Sequence, residues 1–493
     1  MTLITLDSLP DELAGLIVDC LSDDRATLLN VAVTSSRFQD LAESVLWRRL
    51  FIREGQQCKR LLQSLRVRRA RATAIHEIEL RGTSRHEVGL QKFHKILALT
   101  HNLRELIVQS PTCKQRMWSK DGNWPVIKQD IESLLQCSGS NALRPNNATR
   151  PPLQLLKRLT IHSAGEKARY WSSNSAFRGL FLHPCLEELT ISCANIDLSQ
   201  GTVIHSKHAT PLKRLTFVEC NINSVGLTVV LSLPRALEHL YLGENRDNRK
   251  ERSPPACNNL LSDEEDQFFD ALKRQAHSLK TFVYRPSRPQ SLTAFSGSHS
   301  FSSFEALESV SILGKLGTSD QLESTLLSTS PNLQTLVLAL DLDRHAARTF
   351  LSLAMETDAE SISNSPLFKL AKRAILSSTL RDVRIVGSSY RPPSDFHSPH
   401  MIAVMERFME IVRNRNIHLT INYEIRREWT PIHPILYHVQ EPIQHVIFDS
   451  ANDGWVANIN GIAIIGEDER RRLEVMELME EEDEFMEESS DLD

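Results

Sequence analysis

Three stretches set the reading: Leu186-Glu187-Glu188-Leu189-Thr190-Ile191, then Leu212-Lys213-Arg214-Leu215-Thr216-Phe217, then Leu237-Glu238-His239-Leu240-Tyr241-Leu242. Each places apolar residues at positions one, four and six. The same spacing recurs at Leu103–Leu106–Val108, Leu156–Leu159–Ile161, Leu279–Phe282–Tyr284, Leu307–Val310–Ile312, Leu333–Leu336–Leu338 and Leu380–Val383–Ile385, with a weaker forerunner at Ile75–Ile78–Leu80. Counted from Ile75, successive copies start 28, 53, 30, 26, 25, 42, 28, 26 and 47 residues apart. Six of these nine steps lie between 25 and 30. A fixed period of that size marks stacked supersecondary units, because one strand, turn and helix cannot bury an apolar face alone. The long steps hold insertions near 144–152, 248–262 and 361–365.

Working outward from the hexamers, the second position reads Lys157, Glu187, Lys213, Glu238, Lys280 and Glu308 in turn. Equivalent residues of stacked parallel strands sit about 4.8 Å apart, where like charges repel, so alternating sign favours this register. Cys193–Asn195–Ile196, Cys220–Asn221–Ile222 and Asn245 follow three of the strands and suit polar capping where the chain turns off the sheet. The spacing, period and turn residues resemble the leucine-rich repeat family over about 75–424. The resemblance implies a solenoid with a parallel sheet on its concave face and helices on the convex one, Gln267–Ala276 being one such helix.

Within a strand, side chains alternate faces. The residues beside the second and third apolar positions therefore face away from the core, and the concave face presents a target-binding set of Tyr241, Arg285, Val283, His239, Asp382 and Arg384, with His162 and Val218 on the same face. The apolar members on an exposed face point to a protein interface.

Ahead of the repeats, residues 7–50 read as three short helices. Pro10 suits a first helical turn, with Ser8 and Asp11 as a capping pair. Leu9, Leu13, Ile17 and Leu21 recur at four-residue steps; Asp23-Asp24 opens a second helix carrying Leu28, Leu29 and Val31; Ser35 or Ser36 opens a third, with Phe38, Leu41, Ala42 and Val45 before Trp47. This series, from Leu9-Pro10-Asp11-Glu12-Leu13 through Arg37-Phe38 to Leu46-Trp47, resembles the F-box, with Phe38 where that family commonly carries Trp. The resemblance implies docking on a Skp-type adaptor through Leu9, Pro10, Leu13, Ile17, Leu21, Leu28, Arg37, Phe38 and Trp47. Through that adaptor it implies a cullin, with the chain acting as substrate receptor of a ubiquitin ligase for a target protein the sequence does not name. The rival is a leucine-rich scaffold working without cullin.

Composition narrows the remaining classes. The 493 residues are 41% hydrophobic and 24% charged, with no apolar run near the roughly 20 residues of a membrane helix. The first twenty residues include Asp7, Asp11 and Glu12 and no basic residue, unlike a secretory signal, so a cytoplasmic or nuclear setting is expected. Eight scattered cysteines form no CxxC pair and read as reduced core residues, so neither metal nor cofactor is expected. His433, His438 and His445 cluster, but their spacing and Pro434 do not fit ligands on one helix. There is no GxxxxGK[ST], GxSxG, HExxH or post-strand GxGxxG motif, and the chain is expected to be non-catalytic.

Net charge is −5, but Glu467–Asp493 alone carries 14 acids and 3 arginines, a net of −11, leaving +6 elsewhere. Arg48 to Arg85 is dense in basic residues and nearly free of aromatics, which favours a solvated face over a nucleic-acid site. The organisation expected is therefore α/β: a helical module over 1–50, a basic helical connector over 51–74, repeats over 75–424, a cap with a terminal hairpin around Asn452-Asp453-Gly454 over 425–466, and an acidic disordered tail over 467–493.

Overall fold

The computed structural model describes residues 9–81, 88–109, 129–135, 151–162, 171–172, 180–196, 208–244, 261, 265–286, 301–314, 330–341, 379–389, 416–425, 443–452 and 454–455. The acidic tail, His433, His438, Ser8 and nearly all of the three insertions lie outside them.

The chain opens with α1 (Asp11–Cys20), α2 (Arg25–Ala32) and α3 (Ser36–Leu46). Strand β1 (Arg49–Ile52) follows, then α4 (Gly55–Val67) and α5 (Ala70–Ala74). The series continues with β2 (Glu77–Arg81), α6 (Phe93–Leu99), β3 (Glu105–Gln109), β4 (Arg158–His162), β5 (Trp171–Ser172), β6 (Glu188–Ser192), β7 (Ala194–Ile196) and β8 (Arg214–Ile222). Helices α7 (Ser224–Leu231) and α8 (Glu265–Lys273) flank β9 (His239–Glu244). Next come β10 (Thr281–Arg285), β11 (Ser309–Gly314), β12 (Thr335–Asp341), β13 (Asp382–Ser389), β14 (His418–Ile425), β15 (Ile443–Asp449) and β16 (Gly454–Trp455).

Along the main sheet the order is β1-β2-β3-β4-β6-β8-β9-β10-β11-β12-β13-β14-β15-β16. Every pair up to β13–β14 is parallel, whereas β14–β15 and β15–β16 are antiparallel. All three apolar positions of each of the nine hexamers are buried, and they form one continuous core with α4, α6, α7 and α8. One backbone motif repeats between neighbours. The carbonyl of the residue at position two accepts from two successive N–H groups of the next unit: Arg104 from Lys157 and Arg158 at 2.8 and 3.0 Å, Lys157 from Glu187 and Glu188 at 2.8 and 3.0 Å. The pattern continues through Gln334, which accepts from Arg381 and Asp382. Such carbonyl forks satisfy backbone groups exactly where the chain enters each strand.

The side chains at that entry also pair. Lys157 meets Glu187 at 3.0 Å and Lys280 meets Glu238 at 2.9 Å. Position three carries a second row, Arg49–Glu77 at 2.9 Å, Arg158–Glu105, and Arg214–Glu188 at 3.7 Å.

The sheet starts earlier than residue 75. Trp47–Leu50–Ile52 has the hexamer spacing, and β1 pairs in register with β2, Leu50 opposite Ile78 and Ile52 opposite Leu80. It also runs to β14, where Asn416, at φ 55°, takes the place of the first apolar residue. Past the strands, β7 and the end of β8 form a side ladder in which Asn221 Nδ2 donates to Asn195 Oδ1 at 2.6 Å. Gly226 at the start of α7 is required there, since a Cβ would lie 2.5 Å from the Ile196 carbonyl oxygen.

His162 and Val218, expected on the concave face, are buried. Alternation holds only while the backbone is extended. The seventh position is still paired, but the next residue turns the chain, with Cys193 and Glu219 both at φ 53°. The ladder from β8 to β9 shifts register between Phe217 and Cys220, and at this bend the seventh side chain is buried. There His162 Nδ1 hydrogen-bonds Ser192 Oγ, and burial pushes its pKa down to about 3.

Candidate functional site: the exposed faces of the N-terminal helices

Local signals set the three helices. α2 is capped by Asp24, whose carboxylate accepts from the Thr27 N–H at 3.0 Å and its hydroxyl at 2.6 Å. Those bonds hold the Asp24 pKa below the usual carboxylate value. α3 is capped by Ser35, which accepts from the Phe38 N–H at 3.3 Å. Ala14 and Val18 of α1, Leu28 of α2, and Phe38, Ala42 and Val45 of α3 make a small separate core.

What that core leaves outside is apolar. On α1, Leu13, Leu16 and Ile17 are 48%, 61% and 42% exposed; Leu29 of α2 and Val33, which caps its end, are 50% and 84% exposed. Spacings of i, i+3 and i+4 put the α1 trio on one face and the α2 pair on another. Five large exposed apolar side chains on a module this small mark a surface built to be covered.

Of the nine residues expected to contact an adaptor, only part reaches this surface. Leu13, Ile17 and Pro10 are exposed, and Leu9 and Leu21 are half-buried. Leu28 and Phe38 belong to the internal core and offer no surface. Arg37 is spent within the module: its Nε donates to Asp11 Oδ1 at 2.8 Å and its Nη2 to the Leu9 carbonyl, fixing α3 against the start of α1. Trp47 packs against the core of the sheet, with the Arg71 guanidinium 5.1 Å from its ring centre. Leu16, Leu29 and Val33 lie off the four-residue stripe of Leu9, Leu13, Ile17 and Leu21 and also reach this surface.

A further group ties the module to the sheet. Glu43 of α3, buried, accepts from Arg71 Nη2 at 2.8 Å and Nε at 3.2 Å, and pairs with Arg68 at 3.1 Å. Arg68 also pairs with Asp40. Hydrogen bonds from Arg71 hold the Glu43 carboxyl below its ordinary pKa, and the Arg71 pKa is correspondingly raised. The sequence had shown Arg68 and Arg71 only as members of a basic stretch.

On the sheet, Tyr241 lies directly beside Val283 and His239 beside Thr281, all half-buried. Burial, then nearby Arg214, lowers the His239 pKa. Arg285 is opposite Gly243 rather than Tyr241, and it donates to Ser311 Oγ at 3.1 Å. Asp382 and Arg384 are three strands further on, about 14 Å away at the usual strand spacing. They pair with each other at 2.8 Å, and Asp382 lies 3.3 Å from His418. The six residues therefore form two separate groups.

No helix among the described residues is long and apolar enough to cross a membrane. Residues 6–53 match the family model described as F-box-like, spanning all three helices and β1. No match to the chain is found among curated proteins.

Proposed function

We propose that this chain is a substrate receptor of a Skp–cullin–F-box ubiquitin ligase, acting in the cytoplasm or nucleus and leaving ubiquitin transfer to other subunits. F-box-like domains bind Skp-type adaptors in general. The observation that carries the reading to this chain is the exposed apolar set of Leu13, Leu16, Ile17, Leu29 and Val33 on the matched module. Fully burying a large apolar side chain contributes about 1.5–3 kcal/mol, and covering the exposed part of these five favours association. The nine hexamers and their in-register parallel pairing support reading the sheet as a leucine-rich repeat solenoid, with the target held on the face that carries Tyr241 and Val283.

The test is co-precipitation of a purified Skp-type adaptor with the full chain and with Leu16→Glu/Ile17→Glu. Loss of at least tenfold in binding, with an unchanged melting curve, is the expected result. If the folded double variant binds as wild type does, or wild type does not bind, the receptor reading fails and the cullin-independent scaffold replaces it. Tyr241→Ala with Val283→Ser is expected to spare adaptor binding and weaken capture of the target.

A further inference from the structure

The outer face of α4 is unusual in its charge. From Gly55 to His76 the sequence has no acidic residue and six basic ones. Arg68 and Arg71 are consumed by Asp40 and Glu43. The other four, Lys59, Arg60, Arg66 and Arg69, are exposed, and none has a carboxylate partner among the described residues. Lys59 and Arg66 are seven apart with Gln63 between them, so they share a helical face, and Arg60 borders it. At the sheet entry, by contrast, Lys157, Arg214 and Lys280 each pair with a carboxylate on a neighbouring strand. What sets α4 and the turn after it apart is that four such cations fall within eleven residues that contain no acid.

The chemistry of the surroundings selects the ligand. A single-stranded nucleic acid would need aromatic rings for base stacking beside the cations. Phe51 is the nearest exposed ring in sequence, and the Arg53 guanidinium lies 4.6 Å from its centre. An anionic membrane would need apolar side chains to insert. Those of α4, Cys58, Leu62 and Leu65, are buried in the core, which leaves Val67 alone exposed. Cations without stacking rings or insertable apolar groups suit an acidic polypeptide.

This chain contains one. From Leu473 to Asp493 there are 11 acids and no basic residue. We propose that this acidic C-terminal segment docks on the basic surface formed by Lys59, Arg60 and Arg66 of α4 and Arg69 of the turn after it. Reach permits it. From β16 back to β1 the sheet spans roughly 60 Å at the usual strand spacing. Residue Glu484, 29 positions after Trp455, has a contour reach of about 100 Å. Tethering replaces a bimolecular encounter with an intramolecular one, which favours this segment over a free acidic peptide. The contact is electrostatic and weakens sharply as the Debye length shrinks with salt.

Zero-length carbodiimide cross-linking of the full chain, read by mass spectrometry, tests the proposal. At low salt Lys59 is expected to link to carboxylates within Glu474–Asp493, at a yield at least fivefold above that of exposed Lys273. Arg60→Lys/Arg66→Lys/Arg69→Lys keeps the charge and should add links at those positions. Glu477→Gln/Glu480→Gln/Glu481→Gln/Glu482→Gln, or 1 M salt, should cut the Lys59 yield at least fivefold. The proposal is overturned if Lys59 gives no such link, if Lys273 links equally well, if yield ignores tail neutralisation and salt, or if yield falls on dilution and so reports contacts between molecules.

Discussion

The carboxylate of Glu43 takes two hydrogen bonds from the guanidinium of Arg71, which lies 28 residues along the chain and on the far side of β1 and α4. The fork is bidentate, and Arg68 adds a third contact at 3.1 Å. Glu43→Gln keeps the shape and removes the charge. It is expected to cost about 2 kcal/mol, the scale of hydrogen bonds to a charged partner. Because the folded carboxyl titrates below its ordinary value of 4.5, this stabilisation is complete above that pH and is lost as pH falls through the lower folded value. Denaturant melts of wild type and variant should differ at pH 7 and converge in acid; a constant difference, or none, would sink the assignment.

Leu28 and Leu16 are twelve residues apart in one module, yet one is buried and the other 61% exposed. Leu28→Ala should destabilise the module by about 2–5 kcal/mol through lost burial and a cavity. Leu16→Ala should stay within about 0.5 kcal/mol of wild type, as surface changes do. Hydrogen exchange of α1 to α3 reads both, and equal losses of protection would contradict the geometry.

His162 is buried neutral, with its pKa pushed down to about 3, and His183 similarly to about 4. Unfolded histidine takes up a proton near 6.5, so the unfolded state binds more protons as pH drops below that value. Stability should therefore fall from pH 6.5 downward and level off only near the folded values. His162→Gln should flatten that slope in urea melts between pH 6.5 and 4. An unchanged slope would place the titration elsewhere.

Asn221 is buried where the side ladder leaves the sheet, donating to Asn195. Asn221→Ala is expected to cost about 1–3 kcal/mol, because buried polar groups lose their partner. Exchange should quicken first around β7 and the end of β8. Uniform loss across the sheet would show that the ladder is not a local clamp.

Much of the sheet was legible because burial at positions one, four and six leaves an unmistakable spacing, and each of the nine hexamers coincides with a strand. β1 was hidden because Trp47–Leu50–Ile52 is claimed equally well by the end of the helical series. β14 was hidden because Asn416 breaks the pattern at its first position. His162 misled because it ends its strand, just before the position where neighbouring units turn at positive φ, and strict alternation does not hold at that bend. The candidate site was legible only in outline. Periodicity placed Leu13 and Ile17 on a helix, but it could not say that Ala14 and Val18, smaller and less conspicuous, would be the ones turned inward. The roles of Arg68 and Arg71 depend on Asp40 and Glu43, some 28 residues away, and no local pattern carries that information.

The reversal at β15 limits how such a chain can lengthen by gene duplication. Every strand from β1 to β14 offers its follower an edge pointing the same way, so a duplicated unit inserted among them finds matching carbonyl forks on both sides. A unit appended after β15 would meet a strand running backwards, with Ile425 opposite Ile443, and could not form the fork. Parallel copies can therefore be added among β1 to β14, but the reversal at β15 closes that end of the array to them.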